Sequence, residues 1–302
     1  MRHDQLSKSL IATFFTDFLC LAAPDSARRL RATEVTFLDK EVFTDWPTGH
    51  RRELDLLARV PAERGDLQLL VHIEIETRAR TGMDLRLWSY YMQLRLRHGL
   101  LVLPILVNLR GGRPGLGLEA LEEGFDDPAT AVFRYRALGL SGCQAEDWLS
   151  RPEPLAWAFA ALMRPGRRGR AELKLECLRR IGTSGVTRLR KEMLVNWVES
   201  YVKLREEEAL EFRRLLEREE NREIKVMELT WLGKAEARGM EIATQSNVER
   251  MRQAVLRQIE QRFGRVPKRA QKRIEAMKSI EPLANLVEKI LIARSLRELG
   301  LS

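Results

Sequence analysis

Three titratable side chains, His72, Glu74 and Glu76, stand two residues apart in one short stretch of the sequence. The stretch runs from Leu69 to Arg78 and alternates apolar with polar residues, which is typical of a β-strand that buries one face. Successive side chains on one face of a strand lie about 7 Å apart, so the imidazole and the two carboxylates form a row. The apolar face consists of Leu69, Val71, Ile73 and Ile75.

A second acidic strand is predicted just upstream, from Arg52 to Val60, with Glu53 and Asp55 on its polar face. The loop from Pro61 to Asp66 contains a Gly-Asp pair and is typical of a hairpin connection. A hairpin of these strands would gather three or four carboxylates on one surface. Grouped carboxylates repel one another unless a cation lies among them, and Mg²⁺ prefers oxygen ligands, so the pattern indicates a divalent-metal site.

The same acids have a second interpretation without a metal, in which they form the solvent-exposed face of an antiparallel sheet. Leu57 and Leu70 fall on this face and indicate that it is partly buried. Burying carboxylates that have no partner costs free energy. His72 is of a type that is more often packed or hydrogen-bonded in a strand than used as a ligand. Asp4 has two interpretations, a contribution to the site or a cap on the first helix, and we favour the cap.

Composition narrows the class of protein. The 302 residues carry a formal net charge of +9, which favours an anionic partner, nucleic acid first, although an arginine-rich coding bias gives the same balance. The three cysteines are far apart and fit no zinc spacing. Their odd number, without a signal-peptide pattern, favours a reducing cytoplasm. The longest apolar run, from Gly99 to Leu109, is shorter than the roughly 20 residues of a membrane span.

The elements that would position the acids are predicted on both sides of them. A helix precedes the acidic strands, and a second helix after them leads into an apolar run typical of a buried strand. Pro104 within that run indicates an edge or a bulge. Strand, helix and strand in succession predict a right-handed crossover if the strands are parallel. The predicted ranges are helices Asp4–Ala22 and Asp84–Arg97, and strands Val35–Leu38, Leu100–Leu109 and Val132–Leu138.

From Ala145 onward the apolar spacing is helical, and the pattern over Glu206–Trp231 is a long, highly charged helix. A weak stretch with two glycines and a Thr-Gln-Ser-Asn run then indicates a linker, followed by three short helices. The predicted organisation is an α/β domain over residues 1–145, a helical extension over 146–232, a linker over 233–247 and a small three-helix C-terminal module over 248–302.

With Asp55, Glu74 and Glu76 placed, the chain resembles the recombination-promoting nuclease family, which is also described as transposase-like. This family belongs to the PD-(D/E)XK superfamily of metal-dependent nucleases. The tail resembles a domain of unknown function that is often fused to such proteins. The matching motifs of the first 230 or so residues are His3-Asp4-Gln-Leu, Arg52-Glu-Leu-Asp55, Val71-His-Ile-Glu74-Ile-Glu76, Tyr90-Tyr91 and the strand Leu101–Leu109 followed by Arg110-Gly-Gly.

The resemblance implies a restriction-endonuclease-like α/β fold, with a mixed sheet flanked by helices, a metal site on a bent hairpin and a helical C-terminal region. It implies hydrolysis of DNA phosphodiester bonds with Mg²⁺, or with Mn²⁺ in its place. Asp55 and Glu74 match the two acidic motif positions and would ligate the metal, with the main-chain carbonyl of Ile75 as a third ligand. Glu76 stands where Lys or Gln is usual, and a glutamate there can act as a general base or bind a second metal.

Four arginines close in sequence to the acids are candidate contacts to DNA phosphates: Arg51, Arg52, Arg78 and Arg80. Such contacts give binding that depends on salt but not on base sequence. The expected partner is therefore DNA and not a membrane. Superfamily members that cut both strands often pair, so a homodimer is consistent with the resemblance.

Three functional hypotheses follow from the sequence. The first is a Mg²⁺-dependent DNA endonuclease that serves recombination or a mobile element. The second is a catalytically weak or inactive DNA-binding or assembly protein that retains the nuclease fold, because Glu76 replaces the usual residue. The third is a structural helical scaffold with an inert sheet domain. Metal binding separates the first from the third, and cleavage separates the first from the second.

Overall fold

The computed structural model describes residues 3–38, 42–44, 51–125, 128–264, 266–277, 279–293, 295 and 298–300. It describes only the backbone at 3, 4, 42–44, 51, 52, 231, 232, 234–247, 280, 281, 284, 288, 291 and 292. The chain divides into two compact units, Met1–Met227 and Glu228–Ser302. None of the described helices combines the length and the apolar character needed to cross a bilayer.

A six-stranded mixed sheet lies at the centre of the first unit, in the order β1-β4-β5-β6-β8-β7. The β5–β6 and β6–β8 pairs are parallel, and the other pairs of this sheet are antiparallel. A short ladder of β2 and β3 is separate from it. The strands are β1 Thr36–Phe37, β2 Val42–Thr44, β3 Arg51–Glu53, β4 Leu56–Pro61, β5 Gln68–Glu76, β6 Leu101–Asn108, β7 Gly115–Glu123 and β8 Ala131–Gly139.

Helices flank this sheet, so the predicted α/β class is confirmed. The helices of the first unit before the sheet are α1 His3–Thr13, α2 Phe15–Ala22 and α3 Pro24–Ala27, and α4 Met83–His98 connects β5 to β6. Glycines in the left-handed region, Gly82 and Gly99, bound α4 at its two ends. The helices after the sheet are α5 Ala145–Leu149, α6 Pro154–Ala160, α7 Arg170–Thr183, α8 Arg188–Tyr201 and α9 Glu206–Leu216.

The predicted acidic hairpin is present but its first strand is interrupted. β3 and β4 belong to different ladders, and Leu54 and Asp55 lie between them. The antiparallel β4–β5 register pairs Leu57 with His72. The interruption changes the alternation, so that Leu54 packs beside Leu57 in one buried cluster instead of facing the opposite way.

Both faces of β5 are buried, whereas the alternation predicted one buried face and one partly covered face. Helix α4 covers the polar face, where its Tyr90 and Leu94 pack against Leu70. The acids of β5 therefore lie beneath a helix rather than on a solvated surface.

Pro104 is an internal residue of β6, which lies between two parallel partners, so the prediction of an edge strand is wrong for β6 as a whole. The pairing of β6 with β8 begins only at Ile105. Pro104 therefore lies where β6 has no partner on the β8 side, and its missing N–H does not interrupt that ladder.

A separate helical extension was predicted over residues 146–232, but its helices α5 to α9 lie in the same unit as the sheet. Helix α8 contacts α1, and α6 contacts α2. Their shared core contains the large side chains Phe14, Phe18, Phe159 and Trp197, all fully buried. The predicted boundary at residue 145 therefore divides one compact unit.

The second unit is helical, as predicted. Helix α10 runs from Arg222 to Phe263, so the predicted linker 233–247 is helix and not an irregular segment. The single helix predicted over 206–231 is likewise interrupted, because α9 ends at Leu216 and a 3₁₀ turn follows at Glu219–Asn221. The remaining helices are α11 Lys268–Glu275 and α12 Ile280–Ile292, and the core of this unit includes Val255, Ile259, Ile274, Leu283 and Ile290.

Replacing Leu87 with alanine tests the packing of α4 on the sheet. Leu87 is fully buried against Leu106 and Phe133. We expect Leu87→Ala to lower the free energy of unfolding by about 2–5 kcal/mol in urea denaturation. Leu96 lies on the same helix and is 80% exposed, so Leu96→Ala should change stability by less than about 0.5 kcal/mol. Equal effects of the two changes would contradict the described packing.

Candidate functional site

The carboxylate of Glu74 is the most deeply buried acid of the hairpin, with only 1% of the residue exposed. Its Oε1 lies 3.0 Å from Nε2 of His72 and accepts a 3.3 Å hydrogen bond from the main-chain N–H of Asp55. Its Oε2 accepts a 3.0 Å hydrogen bond from the Arg86 guanidinium. Groups from β5, from the β3–β4 junction and from α4 therefore meet at one carboxylate.

Asp55 is held beside Glu74 by a reciprocal main-chain contact. The N–H of Ile75 donates a 2.8 Å hydrogen bond to Oδ2 of Asp55. The other carboxylate oxygen, Oδ1, lies 2.8 Å from the ammonium Nζ of Lys8 on α1. Since the Asp55 N–H donates to Glu74 in turn, the two carboxylates are fixed relative to each other by the hairpin backbone.

Arg86 connects Glu74 to Glu76. Its guanidinium lies 3.5 Å from Oε1 of Glu76 while it donates to Glu74, and its Nε donates a 3.1 Å hydrogen bond to the Tyr90 hydroxyl. Arg80 pairs with the second oxygen of Glu76 at 3.1 Å. The three predicted acids thus have three cationic partners within the site: Lys8, Arg80 and Arg86.

Burial raises the pKa of the Asp55 carboxyl, and the neighbouring Glu74 charge raises it further, against the opposing effects of Lys8 and the Ile75 N–H. Burial also raises the pKa of Glu76, although Arg80 and Arg86 oppose the shift. The ionised forms of these acids are therefore disfavoured by their surroundings. An additional cation at the site would favour them, because opposite charge nearby lowers a carboxyl pKa.

The donor set fits a hard divalent ion. Ile75 lies beyond Ile73, the last residue of β5 paired with β4, so its carbonyl is not used in that ladder. Because N–H and C=O of one strand residue point to the same edge, the Ile75 carbonyl faces the edge that carries Asp55. Among the described residues, no three His, Cys, Asp or Glu side chains form a group that could hold a metal. A bound ion would therefore use Asp55, Glu74, the carbonyl and water, as is usual for Mg²⁺.

His72 is fully buried and so does not reach a substrate. Its Nε2 lies within hydrogen-bond distance of the Glu74 carboxylate, 3.0 Å from Oε1. Its Nδ1 has no hydrogen-bond partner among the described residues. The Tyr90 ring meets the imidazole edge-on at 5.6 Å. His72 therefore orients Glu74, and Tyr90 fixes both His72 and Arg86.

The remaining predicted residues are less closely tied to the site. Arg78 is exposed just beyond the end of β5. Glu53 is exposed at the end of β3. Three predicted contributors have side chains outside the described part of the chain: Asp4, Arg51 and Arg52.

Sequence reasoning missed Lys8 and Arg86 as members of the site. Arg86 had a detectable signal, because it lies three residues after Met83 and four before Tyr90, on the apolar stripe of α4. A cation on an apolar helix face predicts a buried anionic partner. Lys8 gave no such signal, since its contact with Asp55 joins residues far apart in the chain.

Comparison of the chain with protein-family models, with curated proteins and with solved structures finds no significant match. The description of the site therefore depends on the geometry of this chain alone.

Removing the guanidinium group that contacts Glu74 should lower the stability of the fold. We expect Arg86→Met to lower the free energy of unfolding by about 3–5 kcal/mol, since it leaves a buried carboxylate without its cation. Adding Glu74→Gln to that variant should recover part of the loss, because the unpaired charge is removed. Urea denaturation of the single and double variants measures the loss and the recovery of the free energy of unfolding. Arg214 is exposed, so Arg214→Met serves as the control and should change this free energy by less than about 0.5 kcal/mol. An Arg86→Met effect as small as that of the control would contradict the pairing.

Proposed function

We propose that the chain is a metal-dependent DNA endonuclease of the PD-(D/E)XK type. The observation that carries the proposal is the interlocked pair of carboxylates on the hairpin. Asp55 and Glu74 come from the two sides of an antiparallel connection: Glu74 accepts a hydrogen bond from the N–H of Asp55, and Asp55 accepts one from the N–H of Ile75, the residue after Glu74. Two neighbouring acids whose oxygens are held in place can bind a divalent ion that activates water for hydrolysis.

A bound divalent ion would supply a nucleophilic water at neutral pH and stabilise the charge that develops on the phosphate. In the same site, Arg86 holds Glu74 and Glu76 in place, and His72 fixes the second oxygen of Glu74. Lys8 balances the charge of Asp55 and lies on the side of the hairpin that opens onto a cavity of about 330 Å³.

Glu76 is the residue that we assign as general base. Hydrolysis adds water across a P–O bond, so one group must take a proton from the attacking water while the leaving oxygen gains one. The raised pKa of Glu76 brings it closer to neutral pH, where a carboxylate accepts a proton more effectively. This role gives a function to a glutamate at the position where the resembled family usually has Lys or Gln.

DNA as the substrate is supported by charge. The whole chain carries a net charge of +9. Arg78 and Arg80 are exposed immediately after the acids, on the chain segment that leaves β5. Guanidinium groups at this place would bind phosphates on either side of the cleaved bond without reading the base sequence.

The proposal predicts metal-dependent cleavage of plasmid DNA. We expect purified protein to nick supercoiled plasmid, or to cut its single-stranded circular form, with Mg²⁺ and not with EDTA. Glu74→Gln should reduce the rate to background, and Glu76→Gln should reduce it by about 100-fold or more, as for loss of a general base. Gel electrophoresis of the products measures the rates.

Glu63→Gln is the control, because Glu63 is an exposed glutamate at the other end of the hairpin. It should cut as fast as the unchanged protein. Cleavage that survives Glu74→Gln would assign the activity to another site or another protein.

A second candidate function, DNA binding or assembly without cleavage, is favoured by one specific observation. Each of the three acids already has a cationic partner supplied by the chain, so the site is charge-balanced without a metal. A salt-dependent mobility shift of DNA together with no cleavage of either plasmid form would select this candidate over the nuclease.

A further inference from the structure

A second cavity, of about 410 Å³, lies where the parallel strands end and α4 begins. Its polar lining includes Arg80, Asp84, Asn108, Arg113, Glu119 and Tyr135, and Leu106 and Met83 are among its apolar residues. The crevice beyond the carboxyl ends of parallel strands is a common ligand-binding location in open α/β sheets. The volume is within the range of small-molecule sites.

The cavity adjoins the candidate catalytic acids. Glu76 and Asn108 are paired residues of the β5–β6 ladder, and Asn108 lines the cavity. Arg80 also lines it while contacting Glu76 at 3.1 Å. A ligand in the cavity would therefore lie beside the group that we assign as general base.

One part of the cavity suits an anionic group. Helix α4 has 16 residues, and no side chain caps its N-terminus at Gly82. In its first turn the N–H of Leu85 donates a 2.9 Å hydrogen bond to the Asp84 carboxylate, and the preceding N–H groups of Met83 and Asp84 are of the kind that attract phosphate at a helix terminus. Arg80 and Arg113 add two exposed guanidinium groups, and that of Arg113 lies 3.9 Å from the Glu119 carboxylate.

The other part suits a flat, hydrogen-bonding group. The half-buried Tyr135 ring stacks on Phe133, with centroids 5.8 Å apart and the planes inclined by 25°, which holds the ring in place. Burial raises the pKa of the Tyr135 hydroxyl, and Asp84 and Glu119 raise it further, so the hydroxyl remains a donor at neutral pH.

Asn108 supplies an independent sign of a polar ligand. It is only 7% exposed, and its Oδ1 has no hydrogen-bond partner among the described residues. A side-chain amide offers both donors and an acceptor, which suits the edge of a nucleobase. The carboxylates of Asp84 and Glu119 can accept from amino and ring N–H groups of a base.

Because Arg80 contacts Glu76, Arg113 contacts Glu119 and Asp84 is a further carboxylate of the lining, the cavity is not a general anion site. Its mixture of one anionic-group site, one aromatic face and several hydrogen-bonding groups matches a nucleotide. We infer that the cavity binds one unpaired nucleotide next to the scissile phosphate, so that the substrate is single-stranded or locally unpaired DNA. This inference rests on the proposed nuclease function and specifies its substrate.

The physical reason for strand selectivity is the state of the base. In a duplex the hydrogen-bonding edge is occupied by the partner base, and the faces are stacked. Entering the cavity would require flipping of the nucleotide, which costs unpairing and unstacking energy. A single strand avoids that cost and can stack its base on an aromatic side chain.

Fluorescence anisotropy in EDTA tests the inference without any cleavage. The probes are a short labelled DNA single strand, its matched duplex, and the same strand with abasic positions. We expect the normal single strand to bind about tenfold or more tightly than the other two. Tyr135→Leu and Arg113→Ala should each weaken single-strand binding by about fivefold or more.

Arg134→Ala is the matched control, because Arg134 is an exposed arginine next to Tyr135 on β8 whose side chain points to the opposite face of the sheet. It should weaken binding by less than Arg113→Ala. Arg113 is an exposed loop residue, so its variant keeps the test valid if Tyr135→Leu does not fold. Equal affinity for single strand and duplex, or equal effects of Arg113→Ala and Arg134→Ala, would overturn the inference.

The two proposals fail in different ways. If the protein prefers single strands and Tyr135→Leu weakens their binding, but no DNA is cleaved, the nucleotide cavity is supported and the nuclease function is contradicted. If cleavage requires a metal and Glu74, but single strand and duplex bind equally well, the nuclease function is supported and the cavity is not a nucleotide site.

Discussion

The arrangement of the site depends on one constraint, the burial of the Glu74 carboxylate beneath α4. A buried charge is tolerated only when its oxygens are paired. The pairing draws in the imidazole of His72 from β5, the N–H of Asp55 from the hairpin and the guanidinium of Arg86 from α4. Arg86 then fixes Glu76 and the Tyr90 hydroxyl. The positions of the hairpin, the crossover helix and the second acid therefore follow from the requirements of one side chain.

The second feature with consequences for function is the local balance of charge. Asp55, Glu74 and Glu76 are offset by Lys8, Arg80 and Arg86, and yet burial keeps the pKa of Asp55 and Glu76 raised. The chain itself thus balances the charge of the site, while an additional cation would favour the ionised forms of these acids. Lys8 occupies an oxygen of Asp55 that a metal would use. A metal ion and the ammonium of Lys8 would therefore compete for this Asp55 oxygen. The proposed enzyme would be inactive until the metal ion displaces the ammonium.

Much of this arrangement could be predicted from local sequence patterns. Strict alternation located β5, and the apolar run located β6, because side-chain period and burial are local properties. Three features could not be predicted from such patterns, because they depend on tertiary packing. They are the break between β3 and β4 at Leu54–Asp55, the salt bridge from Lys8, and the packing of α4 over the polar face of β5. The predicted linker failed for another reason. Between its two glycines lie alanine, glutamate, arginine and lysine, whose helix propensity outweighs a cost of roughly 1 kcal/mol per glycine.

Titration of the protein with Mn²⁺ or Mg²⁺ in a calorimeter tests the central claim, that Asp55 and Glu74 form a divalent-metal site. The account predicts binding by the unchanged protein, loss of that binding in Asp55→Asn, and tighter binding in Lys8→Met, because the competing ammonium has been removed. Affinity should also rise with pH, since the raised pKa of Asp55 makes protons compete with the metal. No binding by either the unchanged protein or Lys8→Met, or binding unaltered by Asp55→Asn, would contradict the account.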